Sequence, residues 1–170
     1  MTWKLFISIS LVFVLSELPV SALSIEPIPA VSRVATAPAA SDEIEIFERV
    51  NREREKFRLQ QLDWDDDAAR VARSYSQRMA REGFFDHIDP DGNSVVERAE
   101  RSRLRRWSMI GENLFLCTGY EGYTRLAVTG WMKSPTHRQN ILDRRWTATG
   151  IGVAQGRGGR IYVTQVFLER

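Results

Sequence analysis

The spacing of apolar residues changes along this chain, and that change restricts the fold more than any other feature. Up to about residue 141, apolar side chains recur mainly at helical spacing, whereas residues 149–153 and 161–167 are β-rich. Three glycines lie between these last two segments and favour a hairpin. Helices placed before and between a few strands predict an α+β layered structure with no internal repeat.

Local signals place the helix ends. Helices are predicted from Asp42 toward residue 57, after Trp64 as far as the cap at Gly83, over 94–104, over 123–133, and from Ser134 through 141. A run of three aspartates after Trp64 supplies N-caps, and Gly83 is a candidate C-cap. Ser134 followed by proline fits an N-cap with proline at the first helical position.

The N-terminus has the pattern of an export signal. Residues 1–22 combine Lys4 with the apolar stretch 5–15 and end on small residues, which is typical of a cleaved signal peptide. The apolar stretch is shorter than the roughly 20 residues that a membrane helix needs. Residues 23–41 form an Ala/Pro-rich linker. We therefore expect one domain over 42–170, secreted or periplasmic, with no stable membrane span after cleavage; retention as an uncleaved anchor is the alternative.

Charge and cysteine content narrow the function classes. The chain has 24 basic and 22 acidic side chains and a net charge of +2, which is too balanced for a nucleic-acid partner. Its single cysteine, Cys117, excludes an internal disulfide, so the domain must be held by its core. Cys117 lies in an apolar run and is expected to be a buried packing residue.

One basic cluster stands out against this balance. It contains Arg98, Arg101, Arg103, Arg105 and Arg106. We interpret it as a solvated helix face paired with Glu97 and Glu100. Contact with an anionic lipid or polymer of the cell envelope is the alternative.

Several short motifs follow one another in an order typical of a known family. They are residues 50–54 (VNRER), 62–64 (LDW), 84–87 (FFDH), 89–92 (DPDG), 111–114 (GENL), 131–142 (WMKSPTHRQNIL), 150–153 (GIGV) and 162–167 (YVTQVF). Over residues 43–168 the chain resembles the CAP superfamily of cysteine-rich secretory, antigen 5 and pathogenesis-related proteins, in its disulfide-free bacterial branch. The resemblance implies an α/β/α sandwich with a small antiparallel sheet flanked by helices.

The resemblance also implies a central cleft lined by His87, Glu112 and His137. These residues can ligate Zn²⁺ or another divalent cation, act as acid and base, or form a polar network that fixes the shape of the cleft. Glu112 and the asparagine after it can alternatively satisfy backbone groups at a tight turn. Many eukaryotic members carry a second acidic residue and a further histidine where this chain has Ser134 and Val163.

Three functions remain open on the sequence. The first is a binding module whose cleft takes a small-molecule, lipid or cell-envelope ligand, with or without a divalent metal. The second is a metal-dependent, protease-like hydrolase of the envelope in which His87, Glu112 and His137 are the candidate catalytic residues. The third is a non-catalytic interaction domain that acts through its surface. A shared fold does not choose among them.

Overall fold

The computed structural model describes residues 40–119 and 121–170. The predicted signal peptide and the linker up to residue 39 lie outside them, and Ala40 and Ser41 open the first helix. The helices are α1 (Ala40–Lys56), α2 (Asp66–Glu82), α3 (Val95–Arg101), α4 (Tyr123–Lys133) and α5 (Pro135–Leu142), and the strands are β1 (Asp63–Trp64), β2 (Met109–Thr118), β3 (Ala148–Gln155) and β4 (Arg160–Glu169).

The four strands form one sheet in the order β1-β3-β4-β2. The predicted hairpin is present, because β3 and β4 pair antiparallel, and β2 pairs antiparallel with the other edge of β4. Helices cover both faces, with α2 and α3 on one and α1, α4 and α5 on the other. The α/β/α sandwich is therefore confirmed. The short β1, parallel to β3, makes the sheet mixed rather than wholly antiparallel.

Alternation along β3 explains how the two layers pack. Ile151 and Val153 point into the core shared with α1, α4 and α5. The residues that alternate with them, Gly150 and Gly152, are glycines, and α2 lies directly on their backbone. A Cβ on Gly150 would lie 2.0 Å from the backbone nitrogen of Ala69, and one on Gly152 would lie 2.1 Å from that of Arg73. This contact fixes α2, and hence the loop that follows it, against the sheet.

Two polar side chains of α1 tie neighbouring loops to the core. The Asn51 side chain donates to the carbonyl of Leu62 and accepts from its N–H, at 3.0 and 2.8 Å. The Arg54 guanidinium is 1% exposed and donates to four backbone carbonyls, two of which, Ile141 and Asp143, lie at the end of α5. The motif over residues 50–54 therefore has a structural role, because it connects these loops to α1.

Most helix ends follow their local signals. The Asp65 side chain caps α2 by accepting from the N–H of Ala68, and Gly83 ends that helix in the left-handed region at φ 79°. Ser134 occupies the N-cap position of α5, but its side chain makes no capping hydrogen bond, contrary to the prediction. Its backbone N–H instead closes the last turn of α4.

Three further features differ from the sequence-based expectation. Strand β2 was not predicted, and α3 is shorter than the predicted helix over 94–104. Cys117 is half-buried rather than fully buried, and burial raises the pKa of its thiol. Within 40–119 and 121–170, no helix has both the length and the hydropathy required to cross a bilayer.

Candidate functional site

The three predicted site residues lie side by side although they are distant in sequence. His87 lies in the loop between α2 and α3, Glu112 in β2 and His137 in α5. The His87 Nδ1 is 2.9 Å from the Glu112 Oε1, and the centroids of the two imidazole rings are 6.5 Å apart. We call the surface formed by His87 and His137 the histidine face.

A fourth residue, Arg98, completes the site and corrects the expectation for the arginine cluster. Its guanidinium donates to the Glu112 Oε2 at 2.6 Å, and its side chain is only 10% exposed. Arg98 is therefore not part of a solvated face, whereas Arg101, Arg103, Arg105 and Arg106 are exposed. Because the two Glu112 oxygens bond to different side chains, this buried carboxylate connects Arg98 to His87.

Hydrogen bonds from Arg98 and Tyr75 fix the loop that carries His87. Arg98 also donates to the backbone carbonyls of His87 and Asn93, at 3.0 and 2.8 Å. Its guanidinium lies 3.4 Å from the centroid of the Tyr75 ring, which is cation–π contact. The Tyr75 hydroxyl in turn donates to the carbonyl of Asp86. Burial raises the pKa of Tyr75 to about 12, so its hydroxyl stays a donor at neutral pH.

His137 is positioned by amide side chains that join α5 to β2. The Asn113 side chain donates to the carbonyl of His137 at 3.2 Å. Asn140 donates to the Glu112 carbonyl at 3.2 Å and to the Asn113 Oδ1 at 2.9 Å.

Glu112 and Asn113 both lie within strand β2, where they pair with β4. The alternative that placed them at a tight turn is therefore wrong.

The two imidazoles have opposite electrostatic environments. The hydrogen bond with Glu112 raises the pKa of His87 above its ordinary value. Burial, and secondly the neighbouring His87, lower the pKa of His137. Near neutral pH His87 is therefore the readier proton carrier, and His137 is a neutral ring with a lone pair available.

The site is partly open to solvent. The His87 side chain is 52% exposed, and His137 is half-buried. In the part of the chain that the structure describes, no group of three or more His, Cys, Asp or Glu side chains is arranged to hold a metal ion. Any cation here would take two protein ligands, the imidazoles. Two buried and fully hydrogen-bonded histidines would favour a polar network that only fixes the shape of the cleft, and the exposure of His87 does not favour it.

The sequence contains a pattern that indicates the burial of Arg98, although the surrounding charges favour a solvated helix face. Arg98 lies three residues after Val95 and one before Ala99, and both of these pack in the core. A residue at that helical spacing shares the buried stripe. An arginine on a buried stripe needs a carboxylate partner, and the partner here lies 14 residues away in β2.

Comparison with known proteins shows what this chain and its fold are similar to. The family model described as "CAP: Cysteine-rich secretory protein family" matches residues 47–167. The crystal structure of an extracellular protein containing an SCP domain from Bacillus anthracis is 27% identical, with a TM-score of 0.64. It covers 77% of this chain, which spans 41% of that protein.

Two curated proteins of Bacillus subtilis are also similar. The uncharacterized membrane protein YlbC is 32% identical over 130 residues, which are 76% of this chain and 35% of that protein. The uncharacterized protein YkwD is 30% identical over 136 residues, which are 80% of this chain and 50% of that protein. The chain therefore spans a third to a half of the length of these relatives.

Proposed function

Because the chain belongs to the cysteine-rich secretory protein (CAP) family, we propose that it is an exported module that binds a small or extended ligand on the histidine face with the help of a divalent cation. The observation that carries this proposal is the Arg98–Glu112–His87 chain of contacts. It fixes one ring nitrogen of a half-exposed histidine and leaves the other free. Burying a carboxylate and a guanidinium is costly, and here the pair also orients a half-exposed ring, which supports a use for that ring.

The donor set suits zinc or a similar ion. Metal-bound histidines usually donate their second ring N–H to a carboxylate, as His87 does toward Glu112. His137 is the second ligand, and its lowered pKa keeps the lone pair available. Glu112 is the orienting carboxylate, because both of its oxygens are engaged. When bound, such an ion supplies a Lewis acid whose remaining positions are open to a ligand.

The surroundings favour a ligand with apolar parts. Phe85 and Ile88, in the same loop as His87, are 44% and 48% exposed. Large apolar side chains exposed beside a polar centre are typical of ligand-binding surfaces. A ligand that donates an oxygen to the cation and lays apolar groups on this loop would use both features.

Calorimetric titration with zinc tests the proposal. We expect saturable binding of one ion per chain to the wild-type protein near neutral pH. Binding should be lost in both His87→Ala and His137→Ala. Replacing Glu112, which positions His87, would also leave the buried Arg98 guanidinium without its carboxylate partner. The histidine variants are therefore the cleaner choice.

Asp91→Asn is the matched control, because it removes an exposed carboxylate only four residues from His87. Asp91 bonds to Arg78 rather than to the site, so zinc affinity should not change. Absence of zinc binding to the wild type, or equal binding by wild type and both histidine variants, would refute the cation-dependent part of the proposal.

A protease-like hydrolase is the second candidate, and the His87–Glu112 pair is the observation that favours it. A carboxylate that orients an imidazole and raises its pKa is the usual support of a general acid or base. Among the described residues, no serine, threonine or cysteine side chain hydrogen-bonds to either imidazole. A hydrolase would therefore have to use water as its nucleophile. Zinc-dependent cleavage of labelled casein that disappears in His87→Ala would favour this candidate over binding alone.

Export is proposed from residues 1–22 and is supported by the relatives. The Bacillus anthracis structure is of an extracellular protein, whereas YlbC is named a membrane protein. We expect the protein expressed in a bacterial host to accumulate outside the cytoplasm with an N-terminus near residue 23. N-terminal sequencing of the exported protein checks this, and an intact N-terminus in the membrane fraction would indicate an uncleaved anchor instead.

A further inference from the structure

A groove that shares no lining residue with the histidine face lies at the C-terminal end of α2. It is an open groove of about 570 Å³ between the last turn of α2, the end of β2 and the start of β4. Its lining includes Arg81, Thr118, Arg157, Arg160 and Tyr162. We call it the arginine groove. Its volume falls in the range of small-molecule sites.

The charge of the groove is strongly positive. Arg157 and Arg160 are exposed, and no carboxylate of the described residues lies within ion-pair distance of either. Arg81 pairs with Glu82 at 2.8 Å, but the same carboxylate also pairs with Arg78. The groove therefore presents three guanidinium groups against one carboxylate that is already shared. Guanidinium groups suit the oxygens of a phosphate group because of their planar, forked donors.

A tyrosine hydroxyl also opens onto the groove. Tyr162 is 1% exposed and lines the groove, and no described residue hydrogen-bonds to its hydroxyl. The hydroxyl is not one of the enclosed polar atoms that lack a partner, so it can bond to water or to a ligand in the groove. Thr118, at the end of β2, is exposed in the same groove. These two hydroxyls can bond to the hydroxyl groups of a ligand.

Glycines shape the hairpin that forms one wall of the groove. A Cβ on Gly156 would lie 2.9 Å from the Cε2 of Tyr162 and 3.1 Å from the carbonyl oxygen of Ala80, so glycine lets the strand approach both. Gly158 lies in the left-handed region at φ 67°, with open space around it. The hairpin thus turns sharply between Arg157 and Arg160, which both line the groove.

We propose that the arginine groove binds a phosphorylated saccharide. The arginines bind the phosphate group, and the Thr118 and Tyr162 hydroxyls bind the hydroxyl groups of the sugar. A single inorganic phosphate would leave most of the volume unused, and a sugar without phosphate would leave the guanidinium groups without a partner. The groove therefore selects a ligand that carries both groups.

Calorimetry with glucose 6-phosphate, glucose and inorganic phosphate tests this on the full chain. We expect saturable binding of glucose 6-phosphate that is about tenfold or more tighter than binding of either part. The double variant Arg157→Gln/Arg160→Gln should weaken it by at least about tenfold, since each charged hydrogen bond contributes roughly that factor. Tyr162→Phe, which removes only the hydroxyl, should weaken glucose 6-phosphate and leave phosphate unchanged.

The matched control is Arg101→Gln/Arg105→Gln, which removes the same charge from exposed positions on α3 and the loop after it. It should bind like the wild type, and so should His87→Ala, because the histidine face is separate. Equal weakening by the two double variants would show attraction to net charge only and would overturn the proposal. So would equal affinity for glucose 6-phosphate and phosphate, or no binding of glucose 6-phosphate by the wild type.

Discussion

Glu112 shows how one side chain can have two roles in this protein. Its Oε1 orients His87 and its Oε2 neutralises a guanidinium that also supports the His87 loop. Stability and site geometry therefore depend on the same contacts. A substitution that breaks the chain of contacts should affect both, whereas one at an exposed arginine of the same cluster should affect neither.

We expect Arg98→Met to lower the free energy of unfolding by about 3–5 kcal/mol, because it leaves the Glu112 carboxylate buried without its partner. Arg101→Met removes an exposed arginine three residues away and should change stability by less than about 0.5 kcal/mol. Urea unfolding of both variants measures the difference. Equal stability of the two would show that Arg98 does not contribute as the contacts indicate.

The opposite pKa shifts of the histidines predict opposite pH effects. A raised pKa in the folded state means that His87 stabilises the protein fully below its unfolded value of 6.5, and this contribution is lost as pH rises through the folded pKa. A lowered folded pKa means that His137 opposes folding as pH falls below 6.5, where the unfolded chain takes up the proton more readily.

His87→Gln should therefore lose more stability at about pH 5.5 than at about pH 8.5, and His137→Gln should lose less at the lower pH. Urea unfolding of wild type and both variants at the two pH values checks the signs. The same sign for both variants would contradict the assigned environments. Imidazole NMR titration should independently place the His87 midpoint above that of His137.

Contacts between whole elements depend on glycine at the α2–β3 interface. Gly150→Ala would place a methyl group 2.0 Å from the backbone of α2, which cannot move without shifting the helix. We expect a loss of more than about 3 kcal/mol, or no folded protein. Gly130→Ala in α4 is the control, since its Cβ would lie 3.7 Å from the Phe115 ring. It should be neutral or stabilise by up to about 1 kcal/mol, measured by thermal unfolding.

The elements that the sequence predicted well are those specified by local signals. The bounds of α4 agree with the prediction, and α2 begins and ends at its predicted caps. Strand β2 was missed because its burial comes from long-range pairing with β4 rather than from alternation in its own sequence. The burial of Arg98 was missed because the neighbouring charges favoured a solvated face over its helical spacing with Val95 and Ala99, and its carboxylate partner lies in the unpredicted strand. The family motifs identified the two histidines, but the distance between their rings could be obtained only from the fold.

The molecule as a whole must be stable without a covalent cross-link. Its single cysteine has no internal partner, and helices on both faces of the sheet bury separate apolar cores. Buried polar side chains such as Arg54 tie loops to the core, which is a role that disulfides have in small exported domains. Stability should then be independent of redox conditions, which matters for a protein expected outside the cytoplasm.

We therefore expect the wild-type protein to have the same thermal midpoint with and without dithiothreitol. Cys117→Ser should have nearly the same midpoint, lowered only by the small cost of placing a more polar side chain at a half-buried position. Burial raises the pKa of the Cys117 thiol, so its reaction with a thiol reagent should be slow in the folded protein and fast in urea. A midpoint lowered by dithiothreitol in the wild type alone would reveal a disulfide between two chains. In that case the oxidised protein would migrate as a dimer, and its stability would depend on a contact between chains rather than on this fold alone.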